Sequence, residues 1–505
     1  MPHAPVSPRS LWWHGGEDGA VEPLRGDTSA DVVVVGGGIV GVTLAADLAQ
    51  DGMDVVLLEA GRVGSGATGH TSAKATALQS PRYARIEREH GAEAAAAYAA
   101  LSVGAVERIR TDAAAFGEAD AEDVPALTWT HSDESVDELR EEGEAARRAG
   151  LPVQDITTHD RFELAHGLQL GDQLQFSPLT HLRGLRDRGL AAGLRIREHT
   201  PVTGVSMMGS TRTVVTERGA VRADTVVVAT GLPILDRGGW FARMEPQRSY
   251  VVALESDDLP AEMGLRVGGA TRSSRAARTP DGRSVLLVAG AGHRVGRGGD
   301  TRRHPADLRA WGRVTFGATD EVASWSAQDW ASADGLPLAG PIVPGDDRVL
   351  AAAGFDKWGL TSGTAAAASL RRRIRGGELA HSDRILDPAR LPGSRGARRL
   401  ASTNGTVGWE MASGWLRALR GPVDTAPPTE GEGRVERHGA TPTAVATVDG
   451  VTHRCRAVCP HLGGIVRWDE EGRDWSCPLH GSRFAADGRV PVSYTHLTLP
   501  TIYSV

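Results

Sequence analysis

The sequence predicts an α/β domain with a mixed α+β domain inserted into it, followed by a small all-β domain. Three observations carry that reading. The stretch "DVVVVGGGIVGVTLAADLAQDGMDVVLLEAG" from Asp31 is a β-branched run, a glycine turn, a helix-like segment and a second apolar run, which is the pattern of a βαβ unit. Between residues 160 and 330, strand-like runs such as "SYVVALE" and "RSVLLVAGAG" alternate with short helices, while "ADTVVVATG" reads as a buried strand reaching a turn. Near the end, "TAVATVDGVTHRCRAV" sets Asp449-Gly450 between alternating β-formers, a hairpin signal. A chain of 505 residues has room for several such units, at roughly 150 residues each.

Taken in order, residues 1–29 read as an N-terminal extension and 30–385 as the main α/β unit. Within it, 30–80, 180–235 and 325–385 are expected to build the nucleotide-binding layer, and 81–179 and 236–324 the inserted domain. A long Ala-rich helix is expected over about 82–113 and another over about 134–149. The segment "GFDKWGLTSGTAAAASLRRRIRGG" closes the α/β part as a helix. Residues 386–430 read as a linker, rich in Arg, Pro, Gly and Ser over 386–399, with one amphipathic turn-rich helix in "GWEMASGWLRALRG" and a flexible connector in "DTAPPTEGEGR". The all-β unit occupies 431–490. The stretch "VSYTHLTLPT", Val492 to Thr501, resembles the translation of a sequencing adapter, so 491–505 is set aside and the natural domain is expected to continue past about Val490.

Bulk properties exclude several functions. A net charge of -7 and a pI near 6.2 leave no basic face for a phosphate backbone, so nucleic acid is not an expected partner. The start "MPHAPVSPRSLWW" lacks the layout of a secretory signal and no run of about 18 uncharged apolar residues follows, so a cytoplasmic protein without a membrane partner is expected. Three cysteines make no disulfide framework. Of 56 basic residues only Lys74 and Lys357 are lysine, against 54 arginines, and a compact ammonium differs physically from a planar guanidinium.

Gly36, Gly38 and Gly41 fit G-x-G-x-x-G between strand and helix, where no Cβ blocks a pyrophosphate from the helix N-terminus. Glu59 follows 23 residues after Gly36 at the end of the next strand, where a carboxylate accepts from ribose hydroxyls. A dinucleotide site is expected. No second motif of this kind supports a separate NAD(P)H site.

The stretches "EAGRVGSGATGHTSAKAT" (Glu59 to Thr76), "ADTVVVATG" (Ala223 to Gly231), "ADGLPLAGPI" and "VLAAAGFDKWGLTSGTAAA" resemble the FAD-dependent oxidoreductases of the D-amino-acid oxidase (DAO) family, over about residues 30–380. The resemblance implies a Rossmann-like, DAO-type FAD-binding fold with an inserted substrate domain. Gly36, Gly38 and Gly41 would face the pyrophosphate, Glu59, Ala60 and Arg62 the adenosine end, and Thr68, Gly69, Thr71 and Lys74 the ribityl and flavin side. Ala229, Thr230 and Gly231 would also touch the cofactor. Asp334, Gly335, Gly354, Lys357, Trp358, Gly359 and Leu360 would close over the isoalloxazine, with a helix N-terminus near its C2 carbonyl stabilising reduced flavin. Both lysines fall in these loops. Lys74 and Lys357 are therefore the catalytic candidates, tuning the flavin or meeting substrate; two surface lysines left by chance are the alternative.

Cys459-Pro-His461 and Cys477-Pro-Leu-His480 give C-x-H, 15 residues, then C-x-x-H. Two thiolates and two imidazoles suit a [2Fe-2S] cluster with one iron held by each kind of ligand, and zinc could use the same four. "CPHLGG" and "CPLHGSRF" resemble the two loops of Rieske domains, which implies the cluster with Cys459, His461, Cys477 and His480 as ligands. Gly464 and Leu479 stand where respiratory-complex Rieske proteins carry a disulfide, and Phe484 where those carry a tyrosine, so a lower potential is expected. Cys455 reads as a buried strand thiol.

The combination resembles a bacterial family of FAD oxidoreductases, gamma-glutamylputrescine oxidoreductase-like in its FAD part. It implies an amine or amino-acid dehydrogenase that passes electrons from FAD to the cluster singly and on to an external one-electron carrier. A reductase with the opposite electron flow, or a non-catalytic redox module, are the alternatives.

Overall fold

The structure, a computed structural model, describes residues 10–13, 21–235, 237–279, 281–423, 426–439 and 441–490. The main path of the first sheet has the order Leu338–Pro341, Val349–Ala353, Gly219–Val228, Thr28–Val35, Val55–Leu58, Arg195–Arg197, parallel along this path except at the Leu338–Pro341 edge, while Arg212–Thr216 pairs antiparallel with Gly219–Val228 and Val202–Val205 antiparallel with Arg212–Thr216. Val32 and Val34 feed one core, shared with the helices Ile39–Gln50 and Gly359–Ile374, while Val33 and Val35 feed another beneath the opposite face. Burial on both faces is why this strand is an unbroken valine run instead of an alternating one.

A second sheet runs Glu321–Ser332, Met244–Glu255, Ser284–Arg294, Arg272–Arg278, Met263–Arg266, Glu122–Thr130, His166–Gln175, Lys74–Ala75. Its alternation sorts residues to two sides. Val251, Ala253, Ala277, Leu287 and Trp325 pack into the core that holds Val32 and Val34, facing the first sheet. Tyr250, Val252, Leu254 and Val288 face the helix Arg303–Phe316 on the outside.

Three local expectations are corrected. The predicted 82–113 helix is two helices, Tyr83–His90 and Ala92–Phe116, broken at Gly91 with φ +90°. Residues 321–332, split at 325 between the two layers in the sequence reading, form one strand of the second sheet, and Lys74–Ala75 joins that sheet as well. The linker is largely helical: Ser394–Leu419 is one helix of 26 residues. Its four interior glycines disfavour it in isolation, and it is held by packing, with Trp415 Nε1 donating to Gly463 O at 2.9 Å and Gly414 lying against Ile465.

The C-terminal unit is two three-stranded sheets, Gly433–His438 to Val451–Arg456 and Arg467–Asp469 to Arg483–Ala485, around Ala444, Ala446, Trp475 and Phe484. Cys455 is fully buried there opposite Ala444, and burial pushes its thiol up to about 12, as suits an inert core residue. The adapter-like tail, 491–505, lies outside the described residues.

Candidate functional site

The glycine turn is shaped by contacts that exclude side chains. Gly36 has φ +109°, and a Cβ there would sit 2.5 Å from Ala229 O; one at Gly41 would sit 1.9 Å from Gly36 O. The helix Ile39–Gln50 thus begins directly against the turn, with Ala229 N bonded to Val35 O at 2.8 Å beside it. Glu59 closes the other side: its carboxylate accepts from Gly37 N and Gly61 N, each at 2.7 Å, while burial pushes its pKa up. Thr68 Oγ1 accepts from Ile39 N at 3.0 Å at the first turn of the helix. Gly36, Gly38, Gly41, Glu59 and Thr68 are therefore one constellation, a bare backbone cradle at a helix N-terminus with a carboxylate at one end, and it fits a dinucleotide.

The 3-10 turn Ala67–His70 beside that cradle is pinned by residues the sequence reading passed over. Ser10 donates to Gly69 O, Trp12 Nε1 to Thr71 O at 2.8 Å, and Trp325 Nε1 to His70 O at 2.9 Å. Two adjacent tryptophans in a polar leader were the available signal.

On the far side, Gly354 has φ +80°, and Asp356 (+48°) and Lys357 (+73°) follow in the left-handed region before the helix Gly359–Ile374. Such conformations are costly for residues with a Cβ. Neighbours hold them: Arg82 Nη2 pairs with Asp356 Oδ2 at 2.8 Å, and Lys357 N donates to the Asp329 carboxylate. Burial and the neighbouring Asp356 push Asp329 up to about 6. The Lys357 ammonium lies over Gly292, where a Cβ would come within 2.6 Å of Nζ.

The two lysines reach different strands. Lys74 Nζ donates to Gly264 O at 2.8 Å and Ser273 Oγ at 2.6 Å, and burial with the nearby Arg275 cation pushes it down to about 7. Asp334 and Gly335 are taken up by packing: Arg390 holds the Asp334 carboxylate at 2.8 and 2.9 Å, and the space a Gly335 side chain would fill belongs to Arg85. Arg82 and Asp329 were not singled out from the sequence; a lone acid inside the strand-like "SWSAQDWAS" was the trace of the second.

The cysteine loops are near copies. Gly463 N bonds Cys459 O at 3.0 Å and Cys459 N bonds Gly464 O at 2.8 Å; Gly481 N bonds Cys477 O at 3.0 Å and Cys477 N bonds Ser482 O at 2.8 Å. Gly463 (φ +75°) and Gly481 (φ +79°) turn both loops the same way. The Cys477 thiol donates to Cys459, and the N–H groups of His461 and Leu462 and the Ser482 hydroxyl also point at that sulfur, holding it below the usual thiol range despite its burial. The rings of His461 and His480 lie 4.9 Å apart. Here thiol meets thiol and imidazole meets imidazole, an arrangement of two like pairs. Two pairs suit two irons. Leu479 lies over Gly464, where a Cβ would be 2.6 Å from its Cδ1, so an apolar contact joins the two loops at this pair.

A profile of FAD dependent oxidoreductases matches residues 31–373, and one of the Rieske [2Fe-2S] domain matches 423–500. The chain belongs to the FAD-dependent oxidoreductase family. It is an FAD-binding oxidoreductase of that family with a C-terminal Rieske domain, which binds a [2Fe-2S] cluster. A Bacillus subtilis protein named for a Rieske 2Fe-2S centre, YhfW, is 30% identical over 96% of both chains. Gamma-glutamylputrescine oxidoreductase of Escherichia coli is 30% identical over 41% of this chain and 50% of its own. Among solved structures, glycine oxidase from Geobacillus kaustophilus aligns with TM-score 0.60 and 20% identity over 72% of this chain and all of that one. L-proline dehydrogenase from P. horikoshii aligns at 0.58 and 18% over 72% of this chain and 97% of its own. At such identity these structures report the fold of the FAD part. No helix among the described residues is long and apolar enough to cross a membrane.

The histidines of the cysteine loops meet the oxidoreductase domain. Phe241, in a short turn after the Gly231 loop, sets its ring against His461 at 5.9 Å and His480 at 5.4 Å.

Proposed function

We propose that the chain is a dehydrogenase of small amines or amino acids whose electrons leave through the Rieske cluster to an external one-electron carrier. The observation that carries this reading is that both cluster imidazoles rest against Phe241 of the FAD domain, so the cluster region is turned toward the flavoprotein. The names of the relatives, an oxidoreductase of gamma-glutamylputrescine, a glycine oxidase and a proline dehydrogenase, supply the substrate class: compounds with an oxidisable carbon–nitrogen bond.

FAD would supply hydride acceptance and the cluster single-electron storage. The chain's own residues do the rest. The Gly36–Gly41 backbone receives the pyrophosphate, and Glu59 exchanges its bonds to Gly37 and Gly61 for ribose hydroxyls. Lys357 and Asp329 stand on the wall formed by the second sheet and the loop before Gly359–Ile374, offering an ammonium and a carboxylate to substrate. Lys74, poised near neutrality, sits deeper in the same sheet.

The test is an anaerobic absorption titration against a panel of amines and amino acids. One compound that bleaches the flavin bands names the substrate class; bleaching by none, with cluster and then flavin reduced by a low-potential carrier, contradicts the dehydrogenase reading.

A further inference from the structure

The loops that carry a cluster form the tip of a Rieske domain, yet here every residue from Asp474 to Phe484 is buried. The FAD domain covers them. Pro478 lies against Gly296, and a side chain at Gly481 would begin 2.7 Å from Pro246 and from Gln328 Nε2. Gln328 Nε2 donates to Gly481 O, the carbonyl next after ligand His480, at 2.8 Å. Its strand neighbour Asp329 accepts the N–H of Lys357, in the loop expected over the flavin. One strand residue thus hydrogen-bonds to the cluster loop and the next to the flavin loop.

A buried ion pair fastens the seam. Arg248, from the outer face of the second sheet, is fully buried and donates from Nη1 to Asp469 Oδ2 at 2.6 Å, with Asp474 at 3.8 Å. Its remaining nitrogens are taken by Ser326 Oγ at 3.1 and 2.9 Å. Thr301 Oγ1 donates to Asp469 Oδ1 at 3.1 Å and accepts from Glu471 N at 3.0 Å, and Arg467 reaches Gly296 O at 2.8 Å. Domains joined by a linker are expected to move unless their interface resists it. Opening this one would leave a guanidinium and a carboxylate without their partners, which is strongly unfavourable for any geometry that keeps them buried.

We propose that Arg248 and Gln328 are positioning residues: Arg248 locks the cluster-bearing tip onto the FAD domain, and Gln328 couples the flavin loop to His480, so that electrons cross in this docked arrangement without domain movement. The proposal rests on the function argued above. In each crossing one electron would leave reduced FAD and one ferric ion of the cluster would become ferrous, and the single proton brought by the hydride would pass to solvent once both electrons have left. The external one-electron acceptor reoxidises the cluster before the second crossing, so that the two electrons of the substrate's hydride are accounted for.

The test uses the full chain loaded with both cofactors. Hydrogen exchange over 474–484 is expected to be slow in the wild type and fast in Arg248→Leu. The rate from photoreduced flavin to cluster is expected to be independent of solvent viscosity in the wild type. It should fall severalfold in Gln328→Leu, with both midpoint potentials and flavin bleaching by substrate unchanged. An unaltered rate in Gln328→Leu overturns the coupling role, and fast wild-type exchange or a viscosity-dependent rate overturns the lock. Slow exchange over 474–484 in a wild type whose flavin never reduces its cluster overturns the functional reading and, with it, the coupling.

Discussion

The two cluster loops share one hydrogen-bond scheme and differ in what surrounds them. The loop at Cys459–Gly464 keeps Leu462 42% exposed, while the loop at Cys477–Ser482 is sealed beneath the FAD domain. Local chemistry makes both loops competent to hold iron, and packing gives each a separate side of the molecule to serve. On the proposed function, the sealed loop would face the internal donor, and the exposed Leu462 of the other would meet an external acceptor. The two lysines divide in the same way: Lys74 is 8% exposed and bonded on the inner sheet, whereas Lys357 is exposed beside Gly292.

The largest effect expected is at the symmetric heart of the comparison. Replacing either Cys459 or Cys477 by Ser should abolish the cluster while FAD still binds, read as loss of the cluster bands with the flavin bands retained; a cluster surviving in one variant would break the equivalence of the two loops. Next is the seam. Arg248→Leu leaves Asp469 buried without its cation and should cost about 3–5 kcal/mol, seen as an earlier denaturant transition of the Rieske domain. A variant as stable as wild type would mean that the second loop is not sealed by this pair.

The lysine contrast gives a pH signature. With its folded pKa lowered to about 7 from 10.5, Lys74 is neutral in the folded chain where the unfolded chain carries a proton. Wild-type stability should therefore fall as pH drops from 10 to 7 and lose nothing further from this group below 7. Lys74→Met lacks that slope, and its advantage over wild type should grow across the same window to about 4 kcal/mol, measured by denaturation at each pH. The smallest effect belongs to the open loop: Leu462→Glu should change stability by less than about 0.5 kcal/mol and leave internal electron transfer intact while slowing reduction of an external carrier. Equal slowing of the internal step would erase the division between the two sides.

What the sequence disclosed follows the range of the forces involved. The glycine turn and the cluster loops are local: backbone clearance and ligand spacing are written within a few residues, so Gly36, Gly41, Cys459 and His480 can be read in one dimension. Asp329, Gln328 and Arg248 cannot, because their partners, Lys357, Gly481 and Asp469, reach two neighbouring strands from segments distant in sequence. The helix Ser394–Leu419 was legible only in its second half, "GWEMASGWLRALRG", and its first half was hidden for a related reason. Its glycines argue against it locally, and long-range contacts hold it, among them Trp415 with Gly463, Gly414 with Ile465, Asn404 with Ala242 O and Glu410 with Arg467. Trp12 and Trp13 lay outside any recognisable element, although their place over the Ala67–His70 turn ties the N-terminal segment to the FAD cradle.

The most direct test of the central claim is paramagnetic resonance of the anaerobic, doubly loaded protein frozen after mixing with a substrate that bleaches its flavin. The signal of a reduced Rieske cluster is expected to grow in as the reduced flavin gives up one electron. A flavin that stays reduced beside a cluster that stays silent would contradict it.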